Sequence, residues 1–231
     1  MAGVARFVAS SLAPAAQRFA PTAAGGVLRQ ILEVAIDGYQ RFPGAERIAD
    51  TKLERCGGDV TDAIEAVIDQ HIRLAGVQGF ATSIGGLVTL PVALPANLTG
   101  LAVVQCRMVA AIAHLRGYDL DDPRVRTAVI TCLLGEEGVT DRLRKSSLVS
   151  SPLAIATAPV FDPELDRQIS GEVVAELIGR ISGKRMALTV TRRVPFLGGA
   201  VGAGVDGWST YRVGQFADKS LVRRIRRPIE Q

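Results

Sequence analysis

Histidine and cysteine are scarce in this chain of 231 residues: His71 and His114 are the two histidines, and Cys56, Cys106 and Cys132 the three cysteines. No two of these fall at metal-ligand spacing. Cys106 and His114 are eight residues apart, two turns along a helix and too far to share an ion directly. An odd, widely spaced set of cysteines is no disulfide framework. It fits a reducing compartment, where a buried cysteine behaves as a small hydrophobe. Charge of one sign is also lacking: 27 Lys plus Arg against 23 Asp plus Glu leave a formal net charge of +4, too small an excess to mark a nucleic-acid binder. Neither an internal repeat nor a sustained alternation that would demand a sheet is present.

What the chain has is apolar mass and glycine: 48% hydrophobic residues and 24 glycines, enough to exclude disorder as its main state and to bury a substantial core. Helix signals dominate. Val27–Tyr39 carries apolar residues near helical spacing and ends at Pro43-Gly44. Ala45–Cys56 closes at Gly57-Gly58, and Asp59 caps an amphipathic helix with Ile64, Val67, Ile68, Ile72 and Ala75 on one face. Asp122-Pro123 and Asp162-Pro163 are two further starts, an acceptor followed by proline at the first helical position. Glu136–Lys145 reads as a short polar helix and Ser146–Pro163 as an irregular connection. Residues 1–30 carry Arg6, Arg18 and Arg29 and no acid, a composition shared with organellar transit peptides. Pro14 and Pro21 break that segment, so a weakly ordered, weakly amphipathic arm is expected over residues 1–26, followed by one helical domain over 27–227. The fold class expected is all-α: a single globular multi-helix domain with a glycine-rich, uncharged helical hairpin at its centre.

That hairpin is the most distinctive stretch. Leu74–Cys106 runs for 33 residues without Lys, Arg, Asp or Glu, interrupted at Pro91 and Pro95, and an apolar helix resumes over Ala96–Leu115. A helix that is apolar all round is buried in protein or in lipid. As a membrane span, Ala96–Leu115 would hold Arg107 near mid-bilayer at a cost of roughly 3 kcal/mol. Leu74–Leu90 is slightly short, and Val194–Tyr211 contains Asp206. A buried hairpin therefore accounts for the pattern better than a membrane-crossing one. Buried in protein, Arg107 needs a partner, and Asp206, the one acid in the other glycine-rich apolar segment, is the expected one.

Motif matches fail on context. Gly202-Ala-Gly204-Val-Asp206-Gly207 matches a dinucleotide fingerprint. It follows a poor strand, and only 24 residues remain after it, too few to complete a nucleotide domain. Spacings of four (Gly198 and Gly202, Ala200 and Gly204, Ala203 and Gly207) instead suit close helix packing. Gly76, Gly79, Gly85 and Gly86 are expected to serve the same purpose. Gly179–Arg185 falls one residue short of a phosphate loop and puts Arg185 where a metal-binding hydroxyl belongs. Ala81-Thr-Ser83-Ile-Gly85 grazes a nucleophile elbow, but no acid lies between Ser83 and His114. No catalytic residue, cofactor or metal is therefore assigned.

The last 48 residues change character: ten Lys and Arg against three acids give Lys184–Gln231 a net of +7, leaving −3 for the rest. Arg223, Arg224, Arg226 and Arg227 are the densest cluster, with Leu221, Val222 and Ile225 interleaved. On a helix they would fall within about one and a half turns. A polybasic segment beside apolar surface attracts anionic lipid at about 1 kcal/mol per charge.

Three ordered phrases resemble the signature of the EcsC family of bacterial proteins. The first runs from Gly76 through Gly79, Phe80, Gly85, Gly86, Pro91, Pro95 and Asn97. The second is Ala111–Asp119 with Asp122–Arg126. The third is Val194–Gly199 with Gly202 and Asp206. Ser83 and Asn97 depart from the family pattern, which has Gly and Asp there. The resemblance implies a bacterial cytoplasmic protein and a link to ABC transporters, beside whose subunits the founding member is encoded. It carries no catalytic residues. Together these readings lead us to expect a non-enzymatic protein peripheral at the inner face of the cell membrane, binding anionic lipid or a membrane protein. The alternatives are an enzyme using His114 or Asp206 in an apolar cleft, or an integral membrane hairpin.

Overall fold

Short acceptor side chains start several of the helices. Asp59 Oδ1 accepts from the backbone N–H of Thr61 (2.8 Å) and Asp62 (3.0 Å). Asp122 accepts from Arg124 N and Asp162 from Glu164 N, each with proline at the first helical position, where its missing N–H costs nothing. The computed structural model describes residues 21–39, 42–84, 90–145, 150–190 and 195–224. Among these, the chain is all-α apart from a two-strand ribbon. The order is α1 (Pro21–Asp37), β1 (Gly38–Tyr39), β2 (Phe42–Pro43), α2 (Ala45–Arg55), α3 (Val60–Ile84), α4 (Leu90–Leu115), α5 (Pro123–Cys132), α6 (Gly135–Arg144), α7 (Pro152–Ala156), α8 (Pro163–Val190) and α9 (Pro195–Ser220).

The hairpin is central, as its lack of charge implied. Helix α4 is buried along Ala102–Ala113 and packs against α1, α2, α3, α5, α8 and α9. The most extensive helix pair is α3 with α9. Their register is antiparallel, with Gly76 beside Ala203, Gly207 beside Ile72 and Gly214 beside Ile68. Helix α4 runs parallel to α9: Gln105 donates to Ser209 and Thr210 (3.3 Å each), and Met108 sits against Gly214. This register has a consequence for the uncharged segments. The end of α3, the start of α4 and Pro195–Val205 of α9, which also lack charge, all meet at one end of the bundle.

Several boundaries differ from expectation. Helix α1 begins at Pro21, inside the segment expected to be an arm; residues 1–20 lie outside the described residues. Helix α4 starts at Leu90 and so contains both prolines. Pro91 falls in the first turn, where the donor it lacks has no intrahelical acceptor, and only Pro95 forgoes a bond. Helix α7 forms inside the expected connection, capped by Ser151 Oγ on Ala154 N (3.3 Å). The ribbon β1–β2, pairing Gly38 with Pro43 and Tyr39 with Phe42, closes the α1–α2 corner.

Candidate functional site

The C-terminal basic cluster begins where α9 ends. The helix stops at Ser220, so Arg223 and Arg224 follow it outside any helix, contrary to the helical cluster expected; Arg226 and Arg227 lie outside the described residues. The segment is held by a clasp on the α4–α5 turn. Gly117, at φ +85°, ends α4 in a left-handed conformation that lets Tyr118 N reach back to Ala113 O (3.0 Å). The same turn presents Arg116 O to Arg224 N at 2.8 Å, and a Cβ on Gly117 would press on Arg224 O at 3.2 Å. Tyr118 donates its hydroxyl to Val222 O (2.9 Å), the Arg224 guanidinium lies 5.6 Å above the Tyr118 ring, and Arg116 pairs with Asp218. Leu221 is buried beneath. Arg223 and Arg224 remain exposed. Arg223 and Arg224 are thus presented from a backbone held by hydrogen bonds at Val222 O and Arg224 N.

A buried polar group lies where α3 meets α4. His71 is fully buried, its Nδ1 2.7 Å from Val67 O and its Nε2 3.3 Å from Arg107 Nε. Arginine can only donate, so Nε2 is the acceptor and Nδ1 carries the proton that Val67 O accepts. The ring is therefore neutral. Burial, with the Arg107 charge second, pulls its pKa down to about 3. Arg107 is itself buried, which lowers its pKa, and its guanidinium lies 5.4 Å from the centre of the Phe42 ring.

The expected Arg107–Asp206 pair gives way to this arrangement. Both residues are buried on adjacent helices. The Gln105–Thr210 register, however, sets Arg107 roughly 9 Å further along the bundle than Asp206, six residues at 1.5 Å each. Nor do Asp206 and His114 converge on a cleft, because the same register separates them by roughly 20 Å. His114 sits at the far end of α4, where Asp50 (3.1 Å) and Glu46 (3.6 Å) of α2 flank it. Among the described residues no His, Cys, Asp and Glu group suits a metal ion. Cys106 and Cys132 are buried and free, and burial pushes the Cys106 thiol up to about 12.

The packing glycines divide. A Cβ on Gly76 would lie 3.8 Å from Ala203 O, and one on Gly207 3.6 Å from Ile72 Cγ2, so both sit in the α3–α9 interface as expected. Gly79, Gly198 and Gly202 lie within α3 and α9, while Gly85 and Gly86 fall outside the described residues. Gly204 is a correction. It faces solvent, and a Cβ there meets nothing within 4 Å among the described residues. A spacing of four identifies a stripe but not which stripe faces inward. Gly204→Ala is accordingly expected to be neutral or stabilising by up to about 1 kcal/mol, from helix propensity and a more restricted unfolded chain. Thermal denaturation measures this; a clear loss of stability would show that Gly204 packs after all.

A further close-packed glycine is one the motif reading missed. A Cβ on Gly214 would lie 3.0 Å from Ile68 Cγ1 and 3.2 Å from Met108 Sδ, at the crossing of α3, α4 and α9. Also missed is an exposed aromatic pair on α9: Trp208 and Tyr211 stack with centroids 5.5 Å apart, and Trp208 is 63% exposed.

The model of the EcsC protein family matches residues 22–226. The chain belongs to the EcsC family. The match covers most of the chain, from the second residue of α1 to two residues past Arg224 of the clasp. No curated protein and no solved structure matches this EcsC chain. No helix among its described residues is long and apolar enough to cross a membrane.

Proposed function

We propose that this EcsC protein is a peripheral membrane protein whose ligand is an anionic lipid surface on the cytoplasmic side of the cell membrane. The observation that carries this reading is the segregation of charge. The end of α3, the start of α4 and Pro195–Val205 of α9, all uncharged, meet at one end of the bundle, while Arg212, Lys219, Arg223 and Arg224 follow along and beyond α9 toward the other. Apolar surface supplies insertion energy and cations supply attraction to phosphate headgroups, a combination suited to attachment without crossing. Because no described helix suits a span, attachment is expected to be reversible by alkaline carbonate. Protein that stays in the membrane pellet after carbonate would contradict the peripheral reading. The link to an ABC transporter is a property of the family's founding member and enters here as a partner class only.

The four C-terminal arginines provide the electrostatic part. Arg223 and Arg224 are exposed and fixed at the clasp. Changing Arg223, Arg224, Arg226 and Arg227 to Gln is expected to weaken binding to phosphatidylglycerol vesicles by two to three orders of magnitude, at about 1 kcal/mol per charge. Raised salt should have a similar effect. Unchanged cosedimentation would remove these arginines from the binding surface.

A further inference from the structure

The outward face of α9 carries a stripe. Gly204, Val205, Trp208, Tyr211 and Arg212 are exposed at helical spacings of three and four, and Lys219 is exposed two turns beyond Arg212. Of the two acids on α9, Asp206 is buried, and Asp218, at the edge of the stripe, is paired with Arg116. Glu137 of α6 pairs with Arg212 at 2.7 Å, and Glu136 also acts on it electrostatically. Past the helix, Val222, Arg223 and Arg224 are exposed as well. Fifteen residues separate Gly204 from Lys219, a length of roughly 22 Å. Over that length the face passes from the uncharged end of the bundle, through an aromatic pair, to cations.

This layout resolves a geometric difficulty in the peripheral reading. The uncharged start of α9 and the exposed Arg223 and Arg224 lie at opposite ends of the helix, roughly 39 Å apart for its 26 residues, so a flat membrane meeting the bundle end-on would touch only one of them. A bundle lying on its side along α9 brings both within reach.

We propose that this face of α9 is the seat on an anionic bilayer. The helix lies in the plane of the headgroups, Trp208 and Tyr211 enter at the boundary with the acyl chains, and Arg212, Lys219, Arg223 and Arg224 meet lipid phosphates. Stacked Trp and Tyr suit that boundary, since each presents an apolar body and a polar tip. Cations on the same side match the negative surface. The inference rests on the peripheral reading and specifies which surface performs it.

Trp208 is the one tryptophan of the chain, so its fluorescence reports on this face alone. The experiment adds phosphatidylglycerol vesicles, with and without brominated acyl chains, to the full chain and follows emission beside cosedimentation. A blue shift on binding, with quenching by brominated chains, is the expected result. The Trp208→Ser/Tyr211→Ser variant, altered only at surface positions, is expected to keep its unfolding midpoint and to lose vesicle affinity by roughly tenfold or more. Cosedimentation with unchanged emission would overturn this seat and leave the peripheral reading standing. Absence of cosedimentation would overturn both. A blue shift that grows with protein concentration in the absence of vesicles would assign the face to a second copy of the chain and overturn the lipid assignment.

Discussion

Lowering the pH from 7 to 5 is expected to cost this EcsC protein about 2 kcal/mol of stability through His71 alone. The folded-state pKa of about 3 lies below the ordinary histidine value of 6.5 because the ring is buried beside Arg107. A depressed histidine pKa means that the unfolded chain takes up a proton before the folded one does. The contribution is therefore fully present above pH 6.5, is lost progressively as pH falls, and reaches its full loss, roughly 5 kcal/mol, only below pH 3. The window from 7 to 5 avoids most carboxylate titration. Urea denaturation of the wild type and of His71→Gln at both pH values isolates the effect, since His114 is common to the two proteins. Wild-type stability should fall more steeply than that of the variant. Equal slopes would mean that His71 is not held neutral against Arg107.

Gly214→Val is expected to destabilise the fold by about 1–3 kcal/mol, through overpacking at the α3–α4–α9 crossing. The Cβ alone would lie 3.0 Å from Ile68 and 3.2 Å from Met108, and the two methyl groups of valine extend further into the same space. Interiors packed this closely accommodate added carbons only by shifting side chains off their preferred rotamers or by moving helices. The Ile68→Ala/Gly214→Val double variant should recover part of the loss if the clash is the cause, and its recovery is read from the coupling between the two changes. Stability unchanged by Gly214→Val would show that α9 can move away from α3 at no cost.

How much of this was legible in the sequence follows from the range of the interactions. Asp59, Asp122 and Asp162 announced their helices because a cap acts within three residues. The lack of charge in the run announced the burial of its last residues, Ala102–Cys106, because burial excludes unpaired charge. What escaped was set by partners distant in the chain. His71 finds Arg107 36 residues away, and Gln105 finds Thr210 at a separation of 105. Asp206 was the natural guess for Arg107 by elimination of acids, but a neutral imidazole nitrogen is also an acceptor, and only the α3–α4 register shows that it is in place. Gly214 belonged to no motif, whereas Gly204 belonged to one and faces water. The arginine cluster was visible as composition. That it leaves the helix and locks onto Tyr118 and Arg116 was not, because the clasp depends on a left-handed turn at Gly117 about a hundred residues earlier.

The central claim is that an anionic lipid surface is the ligand. Cosedimentation of the purified chain with phosphatidylglycerol vesicles, run in parallel with phosphatidylcholine vesicles and across a salt series, tests it most directly. The expected result is saturable binding to the anionic vesicles that weakens as salt is raised, with little binding to the neutral ones. Equal partitioning into both vesicle types, or a protein that remains in the supernatant with both, would contradict it.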